Sequence, residues 1–195
     1  MKGLFWCEIA HGIAMPPFKG AFQAHILGKK HPQVLAASLS AWSLLALAMQ
    51  EGGMDALPEV AFTDTGKPYF ANCGLHFSLS HSGSLAAAAI SDAPCAVDLE
   101  MVRRPADKRL IRRCLNDREM NAGCDFFDVW TKKECIAKLD GRGMPAHPNR
   151  MDTLDACYEN RFFTRRITDS TGNEYVLNAL DGGFSNAEKK TIIVG

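Results

Sequence analysis

His76-Phe77-Ser78-Leu79-Ser80, Leu85-Ala86-Ala87-Ala88-Ala89-Ile90 and Cys95-Ala96-Val97-Asp98-Leu99-Glu100 are three short runs, separated by Ser82-Gly83-Ser84 and Ser91-Asp92-Ala93-Pro94. Runs of this length between glycine, serine and proline punctuation predict three consecutive strands forming a meander. Before them, Met1 to Glu8 reads as a short strand. Val34 to Met49 reads as a buried helix carrying Leu39, Trp42, Leu45 and Met49, stopped by Glu51-Gly52-Gly53. Leu57 to Phe62 is strand-like, and Thr65-Gly66-Lys67-Pro68 is a turn. After the strands, Pro105 opens a helix, since proline is tolerated in a first turn. Asn116 with Glu119 three residues on is a capping box. Asp125 caps a further helix from about Phe127 to Leu139, ended by Gly141 and Gly143. Arg161 to Ile167, Tyr175 to Leu180 and Thr191 to Val194 alternate like strands, with Ser170-Thr171-Gly172-Asn173 as a hairpin turn. Each half mixes helix with antiparallel strand, so the class is α+β.

The bulk numbers narrow the function. The chain has 195 residues and 47% hydrophobic content, enough for one ordinary core or two small ones packed together. Lys+Arg 22 balance Asp+Glu 22, which excludes wholesale attraction to nucleic acid or membrane. The seven cysteines form no CxxC and are odd in number, which reads as reduced thiols in the cytoplasm. The N-terminal strand has no signal-like apolar run, and the apolar helix is shorter than about 20 residues, so no membrane span is expected.

Two segments carry the chemistry. On a strand, Asp98 and Glu100 share a face, with Cα atoms about 6.5 Å apart, while Val97 and Leu99 take the other. Oxygen ligands at that spacing suit magnesium, although two solvated acids at a strand end would look the same. In Trp130-Thr131-Lys132-Lys133-Glu134-Cys135-Ile136-Ala137-Lys138, Glu134 and Lys138 are neighbours one helical turn apart. As an isolated surface ion pair they would be worth only a few tenths of a kcal/mol. Gly141-Arg142-Gly143 closing the same helix, and Trp130 one turn upstream, are not explained by such a pair. Ser80 and His81 diverge on a strand and do not suit a nucleophilic dyad; hydroxyl, imidazole and the Gly83 backbone suit phosphate oxygens. Gly66-Lys67 only superficially resembles a P-loop, because Pro68 stands where Ser or Thr is required.

Gly66-Lys67-Pro68, Phe77-Ser78-Leu79-Ser80-His81-Ser82-Gly83, Val97-Asp98-Leu99-Glu100, and Trp130-Thr131-Lys132-Lys133-Glu134 with Lys138 and Gly141-Arg142-Gly143 together, in this order, resemble the 4′-phosphopantetheinyl transferases of the Sfp-type group. The resemblance covers residues 66–143. It implies two similar α+β halves, 1–102 and 103–195, related by a pseudo-twofold, with coenzyme A in the cleft between them. It further implies that Asp98, Glu100 and Glu134 hold magnesium on the coenzyme A diphosphate. Lys67, Ser80 and His81 would contact the adenosine phosphate end, and Lys133 and Lys138 would face the diphosphate and the leaving group. Glu134, or a water beside it, would take the proton of a carrier-protein serine while 3′,5′-ADP departs. Relatives place a basic residue in the first long helix; here Val34 to Leu47 has none, leaving Lys29, Lys30 and His31 as substitutes.

The partner face has its own signal. Arg103, Arg104, Lys108, Arg109, Arg112 and Arg113 crowd a segment containing one acid, Asp107. On a helix, Arg104, Lys108 and Arg112 form a stripe, with Arg109 and Arg113 beside it. This is either a solvated basic face or a dock for an acidic protein. The resemblance implies an acyl or peptidyl carrier protein as partner, and a monomer. A coenzyme A- or carrier-binding homologue without catalysis, and a magnesium phosphatase or phosphodiesterase, are the competing readings.

Overall fold

The computed structural model describes residues 1–103 and 108–192. Its elements run β1 (Gly3–Glu8), β2 (Lys19–Gly20), α1 (Phe22–Leu27), α2 (Pro32–Glu51), β3 (Glu59–Phe62), β4 (Pro68–Phe70), β5 (His76–Ser82), β6 (Leu85–Ser91), β7 (Cys95–Met101), α3 (Lys108–Cys114), α4 (Asp117–Asn121), α5 (Phe126–Asp140), β8 (Phe162–Thr168), β9 (Glu174–Asp181) and β10 (Glu188–Lys189). Helices and mostly antiparallel strands make this an α+β fold. The strands form three sheets of order β10-β1-β6-β5, β7-β9-β8 and β2-β3-β4.

The first two sheets pack face to face between two helices. Strand alternation sends Ala86, Ala88 and Ile90 of β6 toward α2, where they join Trp42, Leu45 and Met49. Leu85, Ala87 and Ala89 point the other way, onto Val97 and Leu99 of β7 and Leu177 and Ala179 of β9. All seven residues of β6 are buried. Its four consecutive alanines let the α2 layer and the second sheet both approach closely. Trp42 anchors the first layer through edge contacts with Phe18, Phe22 and Phe77. Full burial of such a side chain contributes roughly 1.5–3 kcal/mol. On the far side, Cys135 and Ile136 of α5 pack on Ala96 and Leu180. Asn178, wholly buried in β9, ties α5 down by donating to Asp128 Oδ1 at 3.1 Å and to Thr131 Oγ1.

The expected caps are in place. Asn116 and Glu119 form a reciprocal capping box, Asp125 accepts from the Asp128 N–H, and Gly141 closes α5 at φ +72°. Helix α2 is 20 residues, longer than expected, and by length and composition it could cross a membrane. Eleven of its residues are nevertheless buried against the sheet and neighbouring helices. The meander is corrected: β5 pairs with β6, but β7 leaves to pair with β9, Asp98 opposite Asn178. The 170–173 hairpin forms as expected, with Thr168 opposite Glu174. At the C-terminus the strand is Glu188–Lys189, parallel to β1, and Thr191 and Ile192 lie outside it; residues 193–195 are outside the described set. The boundary expected at 102 follows a strand, β7, that pairs in the second sheet, while β10 returns to the first. The two sheets thus exchange strands across any division of the chain there.

Candidate active site

Asp98, Glu100, Glu134 and Lys138 converge where β7 faces α5. Ala96 packs on α5, so period-two alternation turns Asp98 and Glu100 the same way. Lys138 reaches across from the last turn of α5. Its ammonium donates to Asp98 Oδ1 at 2.7 Å, to the Val97 carbonyl at 3.0 Å and to the Leu79 carbonyl at 3.4 Å. Burial pulls its pKa down, but the charge and hydrogen bond of Asp98, with Cys135 and Glu134 nearby, outweigh this and leave it raised. The ammonium is therefore a fixed positive charge across the neutral range.

The carboxylates are held differently. Asp98 is 4% exposed; its Oδ1 accepts from Lys138 and, at 2.8 Å, from Ser80, while among the described residues its buried Oδ2 has no hydrogen-bond partner. Glu100 Oε2 accepts from Ser82 at 2.8 Å. Burial raises the Glu100 pKa, helped by Asp98 and opposed by Ser82, by nearby Trp130 and by Lys138. Glu134 is raised by burial, then by Asp98 and Glu100, with Lys138 opposing; among the described residues its carboxylate accepts no hydrogen bond. Burial and Asp98 raise the proton affinity of Glu100 and Glu134, Asp98 keeps one orphaned buried oxygen, and three acids here face a single ammonium, Lys138. Among the described residues no three metal-type donors stand close enough to form a ready cage. Magnesium does not require one, since it keeps several waters and takes one or two carboxylates with substrate phosphate. The residues present fit it.

A crevice of about 240 Å³ adjoins this cluster, lined by Thr65, Gly66, Lys67, Pro68, Leu79, Glu134, Ala137, Lys138, Gly141 and Gly143. The 63–67 turn grips the end of α5: Thr65 Oγ1 donates to the Gly141 carbonyl at 2.6 Å and Lys67 Nζ to the Leu139 carbonyl at 3.0 Å. This explains why two motifs so distant in sequence occur together. Burial lowers the Lys67 pKa, with Cys95 and Asp140 opposing. His81 is exposed at the end of β5. Partial desolvation and the charges of Lys138 and Lys29 hold its imidazole below the ordinary value, against a smaller pull from Asp98. Lys29 thus stands near enough to act on His81, and Lys30 is exposed.

Two expected site residues are elsewhere engaged. Lys133 is a correction: its side chain is 0% exposed and its ammonium pairs with buried Glu119 at 2.6 Å and with the Cys114 carbonyl at 2.6 Å. It faces away from the crevice and cannot reach a diphosphate. Ser80 is 8% exposed, gives its one proton to Asp98 and accepts the Leu99 N–H, so it has no proton left for a phosphate. Ser82, which holds Glu100, and Trp130, which stands near it, carried no assigned role in the sequence. The period-two recurrence of serine at 78, 80 and 82, and the Trp130–Glu134 helical spacing, were the available signals. On the partner face, Lys108, Arg109, Arg112 and Arg113 are exposed on α3, beside exposed Leu110, and Arg103 is exposed before it. Arg104 lies outside the described residues.

No family model matches the chain. It is similar to the 4′-phosphopantetheinyl transferase psf-1 of Bacillus pumilus, 33% identical over 89 residues that make up 40% of this chain and 38% of that protein. It is similar to the 4′-phosphopantetheinyl transferase AcpT of Escherichia coli strain K12, 32% identical over 110 residues, 50% of this chain and 56% of the relative. A third relative, the 4′-phosphopantetheinyl transferase gsp of Aneurinibacillus migulanus, is 31% identical over 88 residues, covering 40% of this chain and 36% of its own length. The chain spans between about a third and just over half of these relatives. Along that stretch, the proteins it resembles are 4′-phosphopantetheinyl transferases by name.

Proposed function

We propose that the protein transfers the 4′-phosphopantetheine group of coenzyme A to a serine of an acyl or peptidyl carrier protein, magnesium-dependently, releasing 3′,5′-ADP. The observation that carries the reading is Asp98: a buried carboxylate pinned through one oxygen by Lys138 and Ser80, with its other oxygen unpartnered beside Glu100 and Glu134. One or two carboxylates from among Asp98, Glu100 and Glu134 would hold magnesium together with the substrate diphosphate, and the metal would supply neutralisation of charge on the diphosphate and on the departing oxygen.

The chain's own residues supply the rest. Glu134, with a raised proton affinity and no hydrogen-bond donor to satisfy it, takes the proton of the carrier serine as its oxygen attacks the pantetheine-bearing phosphorus. The new serine O–P bond forms as the bond to the 3′,5′-ADP oxygen breaks. Lys138, kept charged by Asp98, stabilises negative charge developing at the centre. Lys29, Lys67 and His81 lie where the adenosine phosphates would be received, and Lys30 adds charge at the rim. The Lys108, Arg109, Arg112 and Arg113 face of α3, with Arg104, receives the acidic carrier. The two halves implied by the resemblance, 1–102 and 103–195, would then be pseudo-twofold mates bearing α2 and α5 on their sheets. Seven free thiols suit a cytoplasmic protein, and the resemblance implies a monomer.

The test is incubation with Mg²⁺, coenzyme A and a panel of apo-carrier proteins, each then weighed by mass spectrometry. Gain of the phosphopantetheine mass supports the reading; no gain on any carrier overturns it. Two observations favour a second reading, a non-catalytic coenzyme A- or carrier-binding protein: α2 has no basic residue and Lys133 is withdrawn into the core. Partner affinity without transfer would select it.

A further inference from the structure

Strand β7 is an edge strand of its sheet, yet its outward N–H groups are not free. Val97 donates to Ser78 Oγ at 3.1 Å, Leu99 to Ser80 Oγ at 3.2 Å and Met101 to Ser82 Oγ at 3.1 Å. Three alternate serines on one face of β5 therefore replace a backbone ladder with hydroxyls. The replacement has a chemical consequence. A carbonyl oxygen at those positions could only accept, whereas a hydroxyl accepts the N–H and still has a proton to donate. Ser80 gives that proton to Asp98 Oδ1 at 2.8 Å, and Ser82 gives its own to Glu100 Oε2 at 2.8 Å. Ser78 makes the same backbone bond but donates to no carboxylate among the described residues.

We propose that Ser80 and Ser82 are positioning residues for the acidic centre. Each hydroxyl is locked between a β7 N–H and one carboxylate oxygen. It fixes that carboxylate's rotamer and directs it toward α5. The outcome is visible at Asp98, where one oxygen is saturated by Ser80 and Lys138 while the other is left bare and inward. Second-layer donors of this kind orient ligating carboxylates, and their loss typically costs about 10–100-fold in metal affinity. The inference rests on the proposed metal site and extends it to the strand that builds it.

The test is direct binding of manganese(II), an oxygen-ligand stand-in for magnesium, to the purified full chain without coenzyme A or carrier, read by electron paramagnetic resonance. Ser80→Ala and Ser82→Ala should each weaken binding about 10–100-fold. Ser82→Thr, which keeps the hydroxyl, should restore affinity to within about threefold, since a retained donor keeps the carboxylate oriented. Ser78→Ala supplies the structural control: it loses the same β5–β7 bond and should lower thermal stability comparably, but leave manganese affinity unchanged. Equal affinity in Ser82→Ala and the unaltered protein, or equal weakening in Ser78→Ala, overturns the inference while leaving the metal site standing. No manganese binding by the unaltered protein, even after coenzyme A is added, overturns both.

Discussion

Replacing Lys133 by Met keeps the length and apolar stem of the side chain and removes only its charge and donors. The surroundings of Lys133 set the cost. Lys133 and Glu119 are both 0% exposed, and their 2.6 Å contact is a buried ion pair without access to water. Glu119 would keep three donors, the Asn116 N–H at 3.0 Å, the Thr153 N–H at 2.9 Å and the Thr153 hydroxyl at 2.8 Å. It would lose its countercharge, and the Cys114 carbonyl at the end of α3 would lose its 2.6 Å donor. Removing one partner of such a pair costs about 3–5 kcal/mol, because the other charge is left buried. For a chain of this length each kcal/mol lowers the midpoint by about 2–4 °C, so a fall of roughly 6–20 °C is expected. Urea and thermal denaturation measure it. Glu119→Gln combined with Lys133→Met should recover part of the loss, because no charge is then stranded. Coenzyme A affinity of the folded Lys133→Met protein should be close to normal. A stability change within about 0.5 kcal/mol, together with lost coenzyme A affinity, would refute the structural placement and return Lys133 to the ligand.

Glu134→Ala should cut transfer about 100- to 10,000-fold, the range for a general base, while affinity for the carrier measured by titration stays within twofold. Glu134→Gln gives a test of sign in metal-free protein. Burial and the neighbouring acids raise the Glu134 pKa, so the fold binds that proton more tightly than the unfolded chain does and ionisation at neutral pH costs stability. The variant should therefore be more stable than the unaltered protein at pH 7, with the gap closing as pH falls through the raised pKa; a gap that widens toward acid contradicts it. Reversing charge with Arg112→Glu and Arg113→Glu should lower kcat/KM for an acidic carrier at least about tenfold and flatten its salt dependence, with KM for coenzyme A unchanged.

How much of this was legible in the sequence depends on whether the deciding information is local. The faces of β7 were legible, because alternation alone turns Val97 and Leu99 to one layer and Asp98 and Glu100 to the other. The partner of β7 was not: Cys95–Met101 is buried on both faces over its first five residues, and nothing in such a strand says whether it pairs with β6, just before it in the chain, or with the distant β9. The caps at Asn116, Asp125 and Gly141 were readable because each depends on a few adjacent residues.

Lys133 is the instructive case, because the sequence did hold the answer. A helix turns about 100° per residue, so Glu134 and Lys138 lie about 40° apart while Lys133 and Lys138 lie about 140° apart. Two lysines so placed cannot both face one diphosphate; choosing Glu134–Lys138 as the working face commits Lys133 to the opposite side. Its partner, Glu119 of the capping box, is named by no local pattern and is seen only in the fold. The serines show the converse. Ser80 taken singly looks like a phosphate ligand, but a hydroxyl repeated at 78, 80 and 82 on a strand is a face, and a face of donors beside a strand bearing Asp98 and Glu100 has only carboxylates and backbone to meet. Periodicity, applied to polar residues as strictly as to apolar ones, separates the groups that would touch substrate from the groups that hold them in place.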